Sequence, residues 1–591
     1  MSLRRVTAHP AALAALAALG LAGCGGASRV PLPLRPEPVS YADTLPIPEP
    51  EAREPLEAPK LFDDALAGEV SRVLGIRRAA GRRHEALNVT RFDDVVPSAW
   101  FEPRNAVRRL SPEEVFRGPT TSAGPDTDGP LEIVSAKVQG ISPGFNIRDS
   151  RGDRYVVKFD PKGFLHLSSA AGVISNRLLH AAGWHVPEDY VLVFSKERLA
   201  VAEGATIRGE DSEEGPLTLA AVLEVLALTD SLPDGRYLAV ASKFVPGPPK
   251  GPFYFDGVRE DDPNDHYRHE HRRDLRGLYV VSSWLNHVDM RWMNTMDAYV
   301  EPGYLRHYLI DFAATLGSGT IRPHEPREGL EYNADFWASM GRLVTLGFYR
   351  VGWEDRQWEV IDPSIGWLEA EEFEPGRWKA NWPNAAFSRV TARDGYWGAK
   401  IVGSFTDEQI RAAVRAGRLP SESAADTLAR VLVARRDRIV DHWYRRVTPL
   451  ERFEVVPGGT EADACGASLA PEAPAFVLAF DDLGLGAGLW TTDGITYAWE
   501  LEHAALGRSW TGVAPAVDCP VRGEAARRAL LIAPDGRKPG RDPGRRLAGG
   551  DALATLRLQG VLPDGTELRP LVVWLRRAGD APGYTVAGLE H

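Results

Sequence analysis

The chain has 591 residues, 44% of them hydrophobic and 25% charged. That length exceeds one hydrophobic core and predicts several domains, and the composition is in the usual range of a globular protein. A formal net charge of -12 with no basic cluster argues against a nucleic-acid partner.

Arg4 and Arg5 open the chain with positive charge, and an apolar run follows from Ala11 to Ala22. The run is too short to span a bilayer as a mature helix and reads as an export signal. It ends at Leu21-Ala22-Gly23-Cys24, which resembles the bacterial lipobox. The resemblance implies a signal peptide over residues 1–23, cleavage before Cys24 and lipid on the Cys24 thiol. Gly25 after the cysteine implies an outer-membrane lipoprotein of the cell envelope, facing the periplasm or the surface. No later stretch is long and apolar enough to cross a bilayer. Residues 24–60 carry Pro31, Pro33, Pro36, Pro38, Pro46, Pro48 and Pro50 and read as an extended, solvated tether.

Residues 61–130 read as a lead-in, with Asn88 to Trp100 as an irregular wrap around a domain edge. Glu132 to Val138 alternates as a strand does, and Gly140 to Gly144 forms a glycine-containing turn. Ser150 to Asp153 is a hairpin turn, and the strand Arg154 to Phe159 returns with a lone Lys158. Glycine in such a turn lets backbone N–H groups approach phosphates. A helix is predicted from Ser168, as N-cap, to Ala182, stopping at Gly183. Tyr190 to Phe194 reads as a strand, Gly204 to Gly215 as a polar insertion, Leu217 to Leu228 as a helix and Tyr237 to Val245 as a strand. Pro246-Gly247-Pro248-Pro249 then breaks the sheet like a hinge.

Asp261, Asp262, Asp265, His266, His269, Glu270 and His271 fill a charged loop whose residue types suit a metal, although His269 and His271 would face apart on a helix. A helix from Arg272 to Leu285 leads into His287-Val288-Asp289-Met290-Arg291-Trp292-Met293-Asn294. After a strand-like His307 to Ile310 comes Asp311-Phe312-Ala313. Trp337, Trp353, Trp358, Trp367, Trp378, Trp382 and Trp397 either fill a core or stack on sugars or bases. Helices are predicted over Thr406 to Ala416 and Ser423 to Trp443. From about Pro449, short apolar runs between turn signals predict a β-rich module. It holds Cys465 and Cys519, which in an exported protein form a possible disulfide.

The order of hairpin, Lys158, helix, strands, hinge, Asp289 loop and Asp311 resembles that of protein kinases, whose His-Arg-Asp-Leu-Lys-x-x-Asn and Asp-Phe-Gly motifs answer to His287–Asn294 and Asp311–Ala313. Leu309 to Gly317 is similar to the metal-binding segment of phosphoinositide kinases, and HipA-like and CotH-type kinases are further atypical likenesses. The resemblance implies an α+β, two-lobed kinase-like fold. It divides into an N-lobe over residues 131–247, a helical C-lobe over 248–448 and an additional β-rich domain over 449–591. It implies ATP and Mg as cofactors, with Asp289 as base, Arg291 steadying the γ-phosphate and Lys158 gripping the nucleotide. Gly140, Ser142 and Gly144 would cover the phosphates, and Asn294 and Asp311 would hold the metal. The implied activity is phosphate transfer from a nucleotide to a protein, lipid or sugar hydroxyl, with the membrane as a partner through lipid on Cys24. Three departures stand out. Val288 replaces Arg, Ala313 replaces Gly, and Gly172 sits where the Lys-pairing carboxylate belongs, with Glu188 as the substitute at hand. The alternatives are a pseudokinase acting as an envelope scaffold and a carbohydrate-binding protein using the Trp-rich segment.

Overall fold

The computed structural model describes residues 31–54, 85–137, 143–208, 214–333, 335–355, 358–456, 476–503, 508–519, 527–532, 553–577 and 584–591. The export signal with Cys24, the turn residues Gly140 and Ser142, and Cys465 lie outside these residues.

The alternating stretches become strands β1 (Leu131–Lys137), β2 (Gly144–Arg148) and β3 (Arg154–Phe159), an antiparallel meander. Strands β4 (Asp189–Phe194), β5 (Leu199–Arg208), β6 (Glu214–Pro216) and β7 (Tyr237–Lys243) complete a seven-stranded sheet in the order β4-β7-β3-β2-β1-β5-β6. The expected polar insertion is in part strand: β5 runs parallel to β1 and carries its pairing out to Arg208, and β6 covers its outer side.

Period-two alternation separates the two faces of β3. Tyr155, Val157 and Phe159 are buried with Leu192 and Val222, beneath the helix Leu219–Ala227. Val156 and Lys158 face the other way. On that side Val173, from the helix Leu167–Ala182, packs on Val240, the β7 partner of Lys158.

The Leu167–Ala182 helix stops at Gly183, as expected, with φ 133. Its start differs. Ser168 is inside the helix, and His166 stands at the cap position with φ 71 and no side-chain cap bond. The capping group is Asp160, at the end of β3. It accepts from the backbone N–H of His166, Ser168 and Ser169 at 2.9, 2.8 and 2.8 Å. One carboxylate satisfies three of the orphan donors of a helix start, which a single hydroxyl does not.

The hinge after β7 docks on the C-lobe hairpin of β8 (Thr295–Val300) and β9 (Tyr304–Leu309). The Tyr299 N–H donates to Pro248 O at 3.0 Å, and Lys250 N–H donates to Asp297 O at 2.7 Å. Gly247 has φ 79, and a Cβ there would collide with the Tyr299 carbonyl. Behind the hairpin, every residue of the helix Arg273–Leu285 is buried. It packs against the helices Ala392–Gly403 and Glu422–Tyr444 in the largest core. Trp367, Trp378 and Trp397 are buried, Trp353 and Trp382 half-buried, and Trp358 exposed. The acidic and histidine-rich loop folds on itself: His269 Nε2 meets Asp265 at 2.7 Å, and no cluster suited to a metal occurs among the described residues.

From Leu450 the chain forms antiparallel sheets of four and five strands. Their facing residues, such as Leu478 and Phe480 against Leu556 and Val573, share one core. Cys519 is buried in a separate small cluster with Val477, Ala479 and Ala529 and is disulfide-bonded, and the chain's other two cysteines lie outside the described residues.

Residues 31–54 keep many exposed side chains but run along the body instead of standing free of it. Leu32 is buried with Ala86 and Val89, and Tyr41, Ile47 and Arg53 donate backbone hydrogen bonds to Pro97, Gly303 and Lys250. Proline has its φ already fixed, so laying such a segment on a surface loses little entropy. Among the described residues no helix is long and apolar enough to cross a membrane.

Candidate functional site

The β8–β9 hairpin brings the two motif stretches together. Thr295 pairs with Leu309, so the residues just outside the open end, Asn294 and Ile310, lie side by side. The Ile310 N–H donates to Asn294 O at 3.0 Å. Asp311 follows at once, with φ 60, a left-handed conformation that turns its carboxylate back into the cleft.

Lys158 meets it there from the sheet, Nζ to Asp311 Oδ2 at 2.6 Å, with both side chains one-third exposed. Burial pushes the Asp311 carboxyl up, but the Lys158 charge and hydrogen bond outweigh it and hold the group below the usual range. Asn294 donates through Nδ2 to Asp289 Oδ2 at 2.9 Å and to Asp289 O at 2.7 Å. Arg291 Nε forms an ion pair with Asp289 Oδ1 at 2.9 Å. Burial raises the Asp289 carboxyl, Arg291 and Asn294 lower it, Asp311 adds to the rise, and the net direction is upward. A raised carboxyl is the better proton acceptor. His287 is fully buried beside the Phe312 ring, and burial drives its pKa down to about 4, which leaves it neutral.

Of the residues singled out, Lys158, Asp289, Arg291, Asn294 and Asp311 converge. Gly140 and Ser142 lie outside the described residues. Gly144 pairs directly with Lys158, and a Cβ there would collide with the Val157 carbonyl, so close strand approach accounts for this glycine.

The Lys-pairing carboxylate is absent from the helix, as expected. Gly172 faces Val240, in the row of Lys158, with no side chain to offer. Glu188 does not stand in for it. Its carboxylate accepts from Thr121 N and Oγ1, each at 2.9 Å, and from Tyr190 OH at 2.5 Å. The neighbouring Asp189 is the acid on the cleft face. It pairs with Ser242, which pairs with Val156, one step along the face from Lys158. Ser242 Oγ donates to it at 2.5 Å. Burial pushes its pKa up to about 7, Ser242, Arg177 and Lys158 pull it down, and the Asp311 charge adds to the rise. The only cue in the sequence is an acid opening an otherwise apolar strand, Asp189-Tyr190-Val191-Leu192-Val193-Phe194.

The donor set suits a hard cation. Asn294 gives its nitrogen to Asp289, which leaves its Oδ1 as an oxygen donor, and the Ile310 N–H bond to its carbonyl sets it one residue from Asp311. A two-lobed α+β fold with a strand lysine, an Asp-x-x-x-x-Asn loop and a second aspartate on one cleft defines a kinase-like protein. No family model matches the chain, and no curated protein matches it. Among solved structures it is similar to the Helicobacter pylori proinflammatory kinase CtkA, with 12% identity and a TM-score of 0.28 over 52% of this chain and 92% of that one. It is also similar to the Golgi casein kinase, with 8% identity and a TM-score of 0.26 over 71% of this chain and 96% of that one. Likenesses at these scores carry no residue-level correspondence.

Proposed function

We propose that the chain is an atypical kinase that transfers the γ-phosphoryl group of ATP to a hydroxyl acceptor with Mg²⁺, and that it works in the cell envelope, anchored by lipid on Cys24. The convergence of Lys158, Asp311, Asn294 and Asp289 at one cleft carries this reading. Lys158 binds the nucleotide phosphates, exchanging the Asp311 carboxylate for them. Asn294 and Asp311 would hold the metal, which would supply positive charge against the phosphate oxygens. Asp289 takes the proton of the acceptor hydroxyl. The acceptor oxygen bonds to the γ-phosphorus as the bond from that phosphorus to the β–γ bridging oxygen breaks, and ADP carries away the electron pair. Arg291, beside Asp289, steadies the transferring group. The narrower likeness to phosphoinositide kinases rests on the Leu309–Gly317 segment, and HipA-like and CotH-type kinases stand beside it as further atypical likenesses. The disulfide of Cys519 is proposed to run to Cys465.

The test is a thermal-shift titration with ATP and MgCl2. The wild-type chain is expected to gain stability with both present, since a ligand that binds only the folded state stabilises it. Asp311→Ala is expected to lose the gain while keeping its own fold. No shift in the folded wild type overturns the reading. A shift without Asp289-dependent turnover would leave a nucleotide-binding scaffold.

A further inference from the structure

The helical lobe carries a second cavity that the phosphoryl-transfer residues do not use. It is an open cleft of about 930 Å³, within the roughly 300–1,000 Å³ usual for ligand sites. Half-buried aromatic residues line it, among them Tyr332, Trp353, Trp382 and Phe387.

The cleft borders the segment that holds the Asp289 loop. Trp382 and Asn384 line both the cleft and a smaller chamber whose far wall includes Arg291 and Trp292. The segment that carries them is stitched to the loop. Asn381 N–H donates to Val288 O at 2.7 Å, and Asn384 Nδ2 donates to Met290 O at 3.3 Å. Both carbonyls flank Asp289, so the wall of the cleft and the proposed base are held as one unit.

The charged groups around the cleft come largely in pairs. Asp335 meets Lys379 at 2.6 Å, Glu374 meets Arg377 at 3.3 Å and Glu331 meets Arg342 at 3.1 Å. Glu331 also accepts from the Trp353 indole at 2.5 Å, which fixes that ring. A site of aromatic faces and mutually neutralised polar groups offers stacking and hydrogen bonds with little net field. That chemistry fits a neutral polyhydroxylated chain. It fits a charged peptide poorly, since a peptide of either sign would meet its own charge in each pair.

We propose that this cleft binds a neutral glycan and presents one of its hydroxyls past Arg291 to Asp289. The proposal rests on the kinase reading for its purpose, but glycan binding itself needs no nucleotide. Tryptophan fluorescence and calorimetry with chitohexaose and maltohexaose, with ATP absent, test it. At least one oligosaccharide is expected to saturate. Trp382→Ala and Trp353→Ala are each expected to weaken binding about tenfold, the scale of one lost stacking contact. Trp358→Ala, on an exposed ring that does not line the cleft, is expected to leave binding unchanged. Asp311→Ala is expected to bind the glycan as the wild type does, so loss of the nucleotide reading and loss of this one are separable. Absence of saturable binding to both oligosaccharides in the folded wild type overturns the proposal. So does binding that survives Trp382→Ala and Trp353→Ala together, or saturation by a basic or acidic peptide instead.

Discussion

Asp189 shows how one buried side chain sets a measurable property of the whole fold. Its carboxyl is pushed up to about 7, first by burial and then by Asp311, whereas an unfolded aspartate titrates near about 3.9. Between those values the folded state holds the proton and the unfolded state does not. Stability from this group therefore falls as pH rises across that window and stays lower above it. Asp189→Asn removes the dependence. The melting temperature of the variant relative to wild type is expected to climb from pH 4 to pH 8, by calorimetry at fixed ionic strength. A flat difference would show that Asp189 is ionised throughout. Asp311 works in the opposite sense: Lys158 stabilises its charged form, a contribution present above the unfolded pKa and lost as pH falls.

The helix after Lys158 depends on a residue that local pattern did not single out. Asp160 lies two positions beyond Lys158 and caps the helix that backs it, so strand and helix are joined through one carboxylate. Ser168 has a residue type that often caps helices, but its hydroxyl bonds to Thr320 O at 2.9 Å, in the segment after Asp311. Asp160→Ala strands three backbone donors in a buried place and is expected to cost about 2–3 kcal/mol in urea unfolding. A cost within about 0.5 kcal/mol, the scale of an ordinary surface change, would refute the capping role. The β8–β9 hairpin plays the comparable part for the site. It converts a separation in sequence into adjacency, because residues flanking the open end of an antiparallel pair are neighbours whatever lies between them.

Across the whole molecule, one buried ion network ties parts that are far apart in the chain. Asp93, in the wrap before the N-lobe, accepts from Arg273 at 2.9 Å and from Arg393 at 2.6 Å. Arg393 also reaches Glu590 at 2.9 Å, and the His591 N–H donates to Asp93 at 3.2 Å. Burial would raise the Asp93 carboxyl, but the two guanidinium groups outweigh it and hold it well below its usual value. Asp93→Ala leaves two buried cations short of a partner and is expected to cost about 3–5 kcal/mol. Chemical denaturation followed by tryptophan fluorescence would measure this, and a loss under about 1 kcal/mol, typical of exposed pairs, would contradict the network's role. The C-terminal β domain thus shares an ion network with the kinase-like lobes, through Glu590 and His591.

Sequence alone determined the parts whose signal is local. Alternation marked β1 to β3, helical spacing marked the helices after Lys158 and before His287 but not Ala392–Gly403, and residue type with order along the chain marked Lys158, Asp289, Asn294 and Asp311. It also marked the lack of an acid at Gly172, since a glycine is visible without coordinates. Only the tertiary structure decided which acid lies on the cleft face, because Glu188 and Asp189 are adjacent in the chain and strand pleating sends neighbours to opposite sides. It alone turned the proline-rich segment onto the body and gave the cap to Asp160. It also separated Trp353 and Trp382 in the cleft from Trp397 in the core and Trp358 in solvent. Each of these depends on which surfaces meet across long stretches of chain, and periodicity within one element carries no information about its partner.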